Sequence, residues 1–399
     1  MSAVLRAFAV SLAIAIVASP AAAGQQGYLT PATVTAPPGW SLTPSLGASQ
    51  TYDDNVTLKG PGDNPVSDFV NVLNPSAELN YNGPRGQLAA RYDGAFLLYR
   101  SSTSLDSYAQ SGSLGAKRRL SSHTSLFASG SASAAPTTEV VQLTAVPYVR
   151  TGSRTEDARV GIESVISKRL TIVANVHGQG VHFDDTAPFA NLLLGGTSFG
   201  GGFTLRERLS EMMTITADYD GQRADIGERH DIFVIQNATV GLERALTKTM
   251  RISGAIGAAR LDAPSFGPAK TGPSYRFSLS RDLRSSVVDL IFYRSYVPSW
   301  SFGGTTQNEE ATVRLRVPLA RRLYMQSLVS WRKDEPLVEI TPPLKSLWVQ
   351  ATVGYTARSW VRIEGYYLGT RQTVVTPDAL LHHNQIGFQV TASKPVRLR

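Results

Sequence analysis

The residues of this chain that could carry chemistry are few, and the densest group lies in one stretch, SLGASQTYDDNVTLKGPGDNP. Its Asp and Asn residues are Asp53, Asp54, Asn55, Asp63 and Asn64. An EF-hand calcium loop needs acidic side chains at alternate positions followed by glycine, whereas Asp53, Asp54 and Asn55 are consecutive. Neighbouring side chains of a strand point to opposite faces, so Asp53 and Asp54 converge only if a turn intervenes. The pattern favours the polar end of a hairpin over a metal site.

A second group combines two histidines with two acids. His177 and His182 are five residues apart, which places them on opposite faces of a continuous strand. A joint metal site with Asp184 and Asp185 would need the strand to end before His182. The two aspartates are also the nearest candidate pair of catalytic carboxylates, but the preferred interpretation is a His177 on one face of a strand, a His182 at the base of a loop and two solvated loop acids.

Two further motifs are weaker. His382 and His383 are adjacent, which places them on opposite faces of a strand. We therefore interpret them, like His177 and His182, as separate side chains and not as a joint metal site. The segment GTSFG, Gly196 to Gly200, fits the G-x-S-x-G nucleophile pattern with Ser198 as the nucleophile. That pattern needs a strand-to-helix turn, and an alternating segment follows here instead, so we interpret the match as chance.

The composition excludes several classes of protein. The chain has 399 residues, no cysteine, a hydrophobic fraction of 42% and a net charge of +8 at pH 7. Beyond the N-terminal segment, no apolar run reaches the ~18 residues of a transmembrane helix. The lack of cysteine excludes a disulfide-stapled domain. Lysine and arginine are scattered, which argues against a nucleic-acid partner and favours anionic lipid head groups or an anionic polymer.

The N-terminus has the pattern of an export signal. It carries a positive charge at Arg6, a short apolar run from Ala7 to Ala18, and small residues at Ala21 and Ala23. The run is too short to span a bilayer, so we predict a cleaved signal over residues 1–23 rather than an uncleaved anchor. Residues 24–44 are rich in Pro, Thr and Gly and predict an extended periplasmic lead-in.

Most of the remaining chain alternates with a period of two residues, as strands with one apolar face do. In RLRVPL, which begins at Arg314, the apolar side chains share one face and Arg314 and Arg316 share the other. The same alternation runs from Thr171 to Val181 and from Tyr275 to Ser280. With their flanks these segments reach about 10 residues, the length of a tilted strand that crosses an outer membrane.

Short polar turns alternate with longer loops rich in Gly, Pro and Asp. The predicted short turns are Gly83–Gly86, Arg119–Ser122, Ser167–Leu170, Arg208–Met212, Leu246–Thr249, Leu283–Ser286, Ala320–Arg322 and Ala357–Trp360. The longer loops include Ala134–Gly152, Phe183–Gly196, Leu261–Pro273, Val297–Asn308 and Lys333–Lys345. Periplasmic turns and extracellular loops of outer-membrane barrels differ in this way.

The turns also recur at a fixed spacing. Turn centres at positions 210, 247, 284, 321 and 358 are 37 residues apart, so one hairpin is the repeating unit. The fold class predicted is all-β, a transmembrane antiparallel up-and-down β-barrel of about 18 strands over residues 45–393, followed by a basic tail over residues 394–399. A soluble β-sandwich or β-solenoid would also alternate, but such folds seldom keep this turn asymmetry over so many strands. An even strand count places both termini on the periplasmic side.

The alternation also predicts which charged side chains line the lumen, since charge on the lipid face is costly. Both signs occur, with arginine in excess. For any single residue a structural ion pair is the alternative; only the whole set argues for a solute pathway. The set is Arg91, Asp93, Arg159, Glu163, His177, Arg206, Asp218, Asp220, Arg251, Arg276, Arg314, Arg316, Arg362 and Glu364.

The start of the barrel resembles a known family. An alternating first strand that ends in Tyr52, Asp54 and Asn55, directly after a Pro-rich lead-in, is similar to the β-barrel porins found beside exopolysaccharide and PEP-CTERM gene clusters. The resemblance implies export of a polysaccharide beside a periplasmic polysaccharide export protein, and an arginine-rich lumen would suit an acidic polymer. Outer-membrane barrels usually end on an aromatic residue. This chain departs from that pattern, because it continues past Phe388 of its last strand to the basic KPVRLR tail.

These observations lead to one main function and two alternatives. The main hypothesis is a non-enzymatic exopolysaccharide channel in the outer membrane of a Gram-negative bacterium, in contact with outer-membrane lipid and without a cofactor or a metal. The first alternative is a general or substrate-specific diffusion porin for small sugars or anions. The second is an outer-membrane enzyme that acts on lipid or polymer.

Overall fold

The computed structural model describes residues 38–60, 64–141, 143–184, 193–283, 286–301, 304–338, 343–374 and 379–398. The predicted signal peptide, the lead-in up to residue 37, Asp63, Asp185 and the last residue of the predicted tail lie outside these residues, as do positions 284–285 of one predicted turn and positions 142, 185–192, 302–303 and 339–342 of the predicted loops. The strands are β1 Gly39–Asp53, β2 Asp68–Gly83, β3 Gly86–Tyr99, β4 Ser107–Arg119, β5 Thr124–Ala135, β6 Ser153–Val165, β7 Leu170–Phe183, β8 Gly196–Ser210, β9 Met213–Ile226, β10 Asp231–Thr247, β11 Met250–Asp262, β12 Lys270–Leu283, β13 Ser286–Pro298, β14 Thr305–Pro318, β15 Leu323–Pro336, β16 Leu344–Arg358, β17 Val361–Val374, β18 Ala379–Ser393 and β19 Val396–Leu398. Helical turns are α1 Thr138–Val141 and the 3-10 turns Thr103–Leu105 and Pro264–Phe266.

The strands form one closed antiparallel barrel. Each long strand pairs with the next along the chain, and β18 pairs with β1 from Ser45 opposite Ser393 to Asp53 opposite Gln385. Closure satisfies the backbone groups that would be unpaired at a sheet edge in lipid. The predicted all-β, up-and-down barrel of 18 strands is confirmed, with β19 as a short extra strand.

Both ends of the barrel extend beyond the predicted bounds. β1 begins at Gly39 rather than at residue 45, because residues 39–44 pair in register with β2. The Trp40 and Tyr81 rings, 4.6 Å apart at their centroids, pack beside this extension. In the predicted tail, β19 pairs with β1 from Trp40 opposite Leu398 to Leu42 opposite Val396. The Pro-rich composition therefore concealed six strand residues.

The hairpin repeat is visible in the register. The pairing shifts by one residue beside three short turns, between Arg208 and Ser210, between Ala245 and Thr247, and between Thr356 and Arg358. These β-bulges are separated by multiples of the 37-residue spacing found in the sequence. The predicted turns and long loops occupy opposite ends of the barrel, which we call the turn end and the loop end.

The outer face of the barrel exposes large apolar side chains. Ile256, Phe199, Ile386 and Val240 are 75%, 66%, 61% and 60% exposed. A closed barrel with an apolar outer belt is the form in which strands cross a membrane. Among the described residues, no helix is long and apolar enough to do so.

Part of the interior is filled by an apolar core at the loop end. Phe233, Ile235 and Leu261 of the wall are at most 2% exposed and pack with Val146 and Trp300 from the loops. Large outer-membrane barrels can leave a wide lumen, so a core of this kind shows that loops fold inward and reduce the open cross-section at this end.

Candidate functional site in the barrel interior

The register places all fourteen predicted lumen residues on the inner face. On β6, Val160 and Ile162 are exposed on the outer side, so Arg159 and Glu163 point inward. The same parity, followed from strand to strand through the paired positions, holds for the other twelve. Their contribution to a solute pathway stays a prediction.

Several of these side chains are held by neighbours. Arg91 Nη2 donates to Asp93 Oδ1 at 2.7 Å, and Arg159 Nε donates to Asn175 Oδ1 at 2.9 Å. Glu163 pairs with Lys117 of β4, and Glu364 accepts from the Tyr324 hydroxyl. His177 Nδ1 lies 3.7 Å from Asp220 Oδ2, and Asp218 accepts from Thr204 at 2.7 Å. Structural pairing therefore accounts for these residues.

One sector of the wall is richer in positive charge. Arg251 on β11, Arg276 on β12 and Arg314 and Arg316 on β14 face inward. Asp289 of β13 is opposite Arg314 in the register. We call these four arginines the arginine strip; they give this sector an excess of fixed positive charge.

The second component of the site is a loop between β5 and β6, described at residues 136–141 and 143–152, which we call the inward loop. It crosses the interior to the opposite wall. Tyr148 N donates to Gln372 Oε1 at 2.6 Å, and Ala145 N donates to Asp334 Oδ2 at 3.2 Å. Burial raises the pKa of Tyr148 to about 12, so its hydroxyl stays neutral. The loop is therefore fixed to β15 and β17.

A buried charge cluster on β14 and β15 anchors the loop. Arg332 Nη2 lies 3.1 Å from Glu310 Oε2, and both side chains are below 10% exposure. Glu310 also accepts from the Tyr293 hydroxyl at 3.0 Å, and Asp334 Oδ1 accepts from Asn308 at 2.6 Å. Arg332 Nη1 donates to the Leu143 carbonyl of the loop at 3.4 Å. The cluster pairs its charges and holds the loop backbone.

A second anchor lies where β1 meets β18. His383 Nδ1 lies 2.8 Å from Glu139 Oε2 of α1, and His383 Nε2 lies 2.9 Å from Asp53 Oδ1. A carboxylate at each ring nitrogen matches a positively charged imidazole that donates from both. Asp53 also accepts from Asn55 N at 2.9 Å and from Gln385 at 2.8 Å. We call Glu139, His383 and Asp53 the seam triad.

The seam triad corrects the interpretation of the acidic stretch. Asp53 and Asn55 are 4% and 1% exposed, so they are not solvated turn residues. β1 ends at Asp53, and the bend that follows lets ligand atoms of Asp53, Asp54 and His383 lie within 4.8 Å of one another. Both imidazole nitrogens already contact carboxylates, and Asp54 accepts two hydrogen bonds from Asn384. The arrangement is therefore an ion-pair network.

Replacement of His383 by alanine is expected to loosen the inward loop. Without the imidazolium, Asp53 and Glu139 face each other across the buried seam as like charges. Trypsin should then cleave after Arg150 several-fold faster, because the Arg150 Nη1 contacts to Val56 O and the Tyr99 hydroxyl, both 3.1 Å, belong to the docked loop. Limited proteolysis of the reconstituted chain measures this. His382→Ala, on the outer face, is the control, and equal cleavage rates would refute the anchoring role.

The other candidate catalytic and metal-binding residues named from the sequence do not lie together in one site of the described structure. Ser198 lies within β8, paired with Gln179 and Ala224, so the segment has no nucleophile turn. His182 faces outward, opposite in parity to His177, as the alternation predicts. His182 Nε2 lies 3.9 Å from Asp184 Oδ1, which also contacts Arg154 at 3.2 Å.

Sequence reasoning missed the residues that hold the inward loop. Glu139, Arg332 and Gln372 were not singled out, and His383 was dismissed with its neighbour. The parity of His383, Arg332 and Gln372 on their strands would have placed all three inward. The length of the loop between Ala134 and Gly152 was the remaining signal that it could reach them.

Comparisons with known proteins gave matches among solved structures alone. No family model matches the chain, and neither does any curated protein. Solved structures that resemble it include Acinetobacter baumannii OccAB4, with 9% identity, a TM-score of 0.48, and coverage of 90% of this chain and 98% of that one. Pseudomonas aeruginosa OccK5 (OpdH) has 11% identity, a TM-score of 0.49, and coverage of 90% and 98%. Pseudomonas aeruginosa OprD has 10% identity, a TM-score of 0.41, and coverage of 89% and 95%. Identities this low leave the solute to be inferred from the chain's own residues.

Proposed function

We propose that the protein is a diffusion channel of the outer membrane that passes small polar solutes selectively. The inward loop inside a polar-walled barrel is the observation that carries the proposal. An open barrel of this strand number would admit hydrated solutes without much selection. A loop held across the interior by Asp334 and Gln372 restricts passage to small molecules that can bind the polar walls.

The loop favours this function over polysaccharide export. A polymer in transit needs a continuous wide passage for its whole length. The loop is fixed to the wall on β15, on β17 and at the seam triad, and all of these contacts would have to break for a chain to pass. Neither a polysaccharide nor a periplasmic export partner is therefore included in the proposal.

The orientation follows from the asymmetry of the connections. Short turns face the periplasm and long loops face the exterior in outer-membrane barrels. In this orientation both termini are periplasmic and the inward loop enters from the outside. The charged groups of the interior serve in structural pairs and in solute contact, so the channel acts without covalent chemistry.

The arginine strip is expected to make the ionic current anion-selective. Arg314→Gln/Arg316→Gln should move the reversal potential in a KCl gradient toward the cation side, because two fixed positive charges leave the wall. Planar-bilayer recordings of the purified chain measure both conduction and selectivity. Arg223→Gln, on the outer face of β9, is the matched control. A purified barrel that neither conducts nor lets small sugars swell liposomes would overturn the proposed function.

A further inference from the structure

A polar pocket lies on the inner wall where the barrel closes. It is formed by β17, β18, β1, β2 and β3, holds a cavity of about 60 Å³ and opens to the interior. Since about 10–15 Å³ holds one water molecule, the cavity admits a few hydroxyl groups of a ligand whose remainder lies in the open interior. Five hydroxyl side chains line it, together with Asn74, Glu78, Arg91, Asp93, Arg362 and Glu364. We call it the seam pocket.

One buried acceptor in the seam pocket has an unmet hydrogen bond. Asn74 is 7% exposed, and its Nδ2 donates to the Gly94 carbonyl at 3.3 Å. Its Oδ1 accepts no hydrogen bond from the described part of the chain. Buried carbonyl oxygens are nearly always paired, because an unmade hydrogen bond loses the solvation of the group. A hydroxyl group of a bound molecule would supply the missing donor.

Gly47 keeps space open beside this acceptor. A Cβ atom at Gly47 would lie 3.2 Å from Gln389 Nε2, 3.4 Å from Asn74 Cβ and 3.6 Å from Thr391 Oγ1. The backbone at Gly47 is ordinary strand, so any residue could adopt it. The glycine therefore serves as an opening between three polar side chains and is not required by the backbone.

The charges of the seam pocket favour a neutral ligand. Arg91 and Asp93 form a two-point ion pair and largely cancel. Glu78 accepts from Asn80 at 2.6 Å, and Glu364 accepts from Tyr324. Two guanidinium groups and three carboxylates leave a formal excess of one negative charge, which disfavours an anion. Donors and acceptors are mixed throughout, and a hydroxyl group both donates and accepts.

An aromatic ring lies next to these polar groups. Tyr366 follows Glu364 on the same face of β17 and is opposite Gly387 in the register. A Cβ at Gly387 would lie 2.5 Å from the Tyr366 Cζ, so the ring lies across the wall at the glycine. A ring in this position offers apolar surface to the C–H face of a sugar.

We propose that the seam pocket binds the hydroxyl groups along one edge of a neutral polyhydroxylated solute. The proposal rests on the channel function and names the class of solute that the channel selects. The Asn74 carbonyl and the carboxylates accept from its hydroxyl groups, and the two arginines donate to them. The pocket lies in a different sector of the wall from the arginine strip, so sugar binding and ion selectivity are separable.

Titration calorimetry of the full detergent-solubilised chain tests the site with glucose, maltose and sucrose as probes. We expect at least one of the three to bind, and Gly47→Val, which fills the opening, to weaken that binding by about tenfold or more. Asn74→Leu removes the hydrogen-bond acceptor and replaces it with an apolar side chain of similar size, so it should weaken sugar binding similarly. Ser129→Val, an inward-facing position of β5 outside the pocket, should bind as the unmodified chain does.

Arginine and succinate are the competing probes. If either binds in a manner sensitive to Gly47→Val while the sugars do not, the solute class is wrong. If no sugar binds, or if binding survives both pocket substitutions in folded protein, the site is wrong. Planar-bilayer conduction by the same samples reports the channel function separately. A conducting barrel without sugar binding overturns only the seam pocket, whereas a binding but silent barrel overturns the channel.

Discussion

A barrel from which residues 138–149 have been removed is expected to conduct several-fold more current per channel than the intact chain. The removed segment crosses the interior and contacts the far wall through Ala145 and Tyr148. Its ends are adjacent, since Thr138 N donates to the Val149 carbonyl at 3.1 Å, so a short glycine linker can join residues 137 and 150 without strain on the wall. Single-channel recording in planar bilayers measures the change.

The control for this deletion is an exposed loop that contacts the interior core through the stacking of Phe266 on Phe233, with ring centroids 5.5 Å apart. Residues 264–268 between β11 and β12 are exposed, and their removal should leave the conductance near its original value. If both deletions give the same conductance as the intact chain, the inward loop is not the restriction. Faster leakage of large sugars from liposomes in the first variant alone would add independent support.

Replacement of Arg332 by methionine is expected to be the most destabilising single change on the wall. It leaves Glu310 and Asp334 as buried carboxylates without their cation, and such a loss costs about 3–5 kcal/mol. It also removes the donor to Leu143 O, so the inward loop should become more mobile. Fluctuations of the single-channel current should increase accordingly. Urea unfolding of the barrel in lipid vesicles measures the stability change.

Two variants distinguish the charge from the packing of Arg332. Lys333→Ala removes the outward pair of Lys333 with Glu335, 2.8 Å apart, and should cost only about 0–1 kcal/mol. Arg332→Met/Glu310→Gln/Asp334→Asn removes all the charges together and should recover much of the loss. If the triple variant is as unstable as Arg332→Met, the contribution of Arg332 comes from shape and not from charge.

The barrel could be predicted because its signals are local. Alternation in segments such as RLRVPL sets which face each side chain takes, and the spacing of short turns sets the number of strands. Both depend on residues close in the chain. The start of β1 was predicted too late because Pro44 and the surrounding Pro-rich composition suggested a lead-in, although residues 39–44 pair fully with β2.

The interior arrangement could not be predicted in the same way. Alternation states that His383 points inward, but it does not state that Glu139, 244 residues earlier, reaches it. Such contacts depend on the three-dimensional path of a loop that has no periodicity. The same limit applies to the seam pocket, whose walls come from the first three and the last two long strands of the chain.

The inward loop also constrains the order in which the molecule is completed. It leaves the wall after β5, but its partners Asp334, Gln372 and His383 lie 189 to 244 residues later in the chain than the loop residues they contact. Contacts so distant in sequence form late in folding. While the C-terminal strands are still unpaired, the contacts of the loop with β15, β17 and β18 cannot form. The passage therefore reaches its final width only when the first and last strands pair. An incompletely inserted barrel would leave a wider opening in the membrane, which completion of assembly removes.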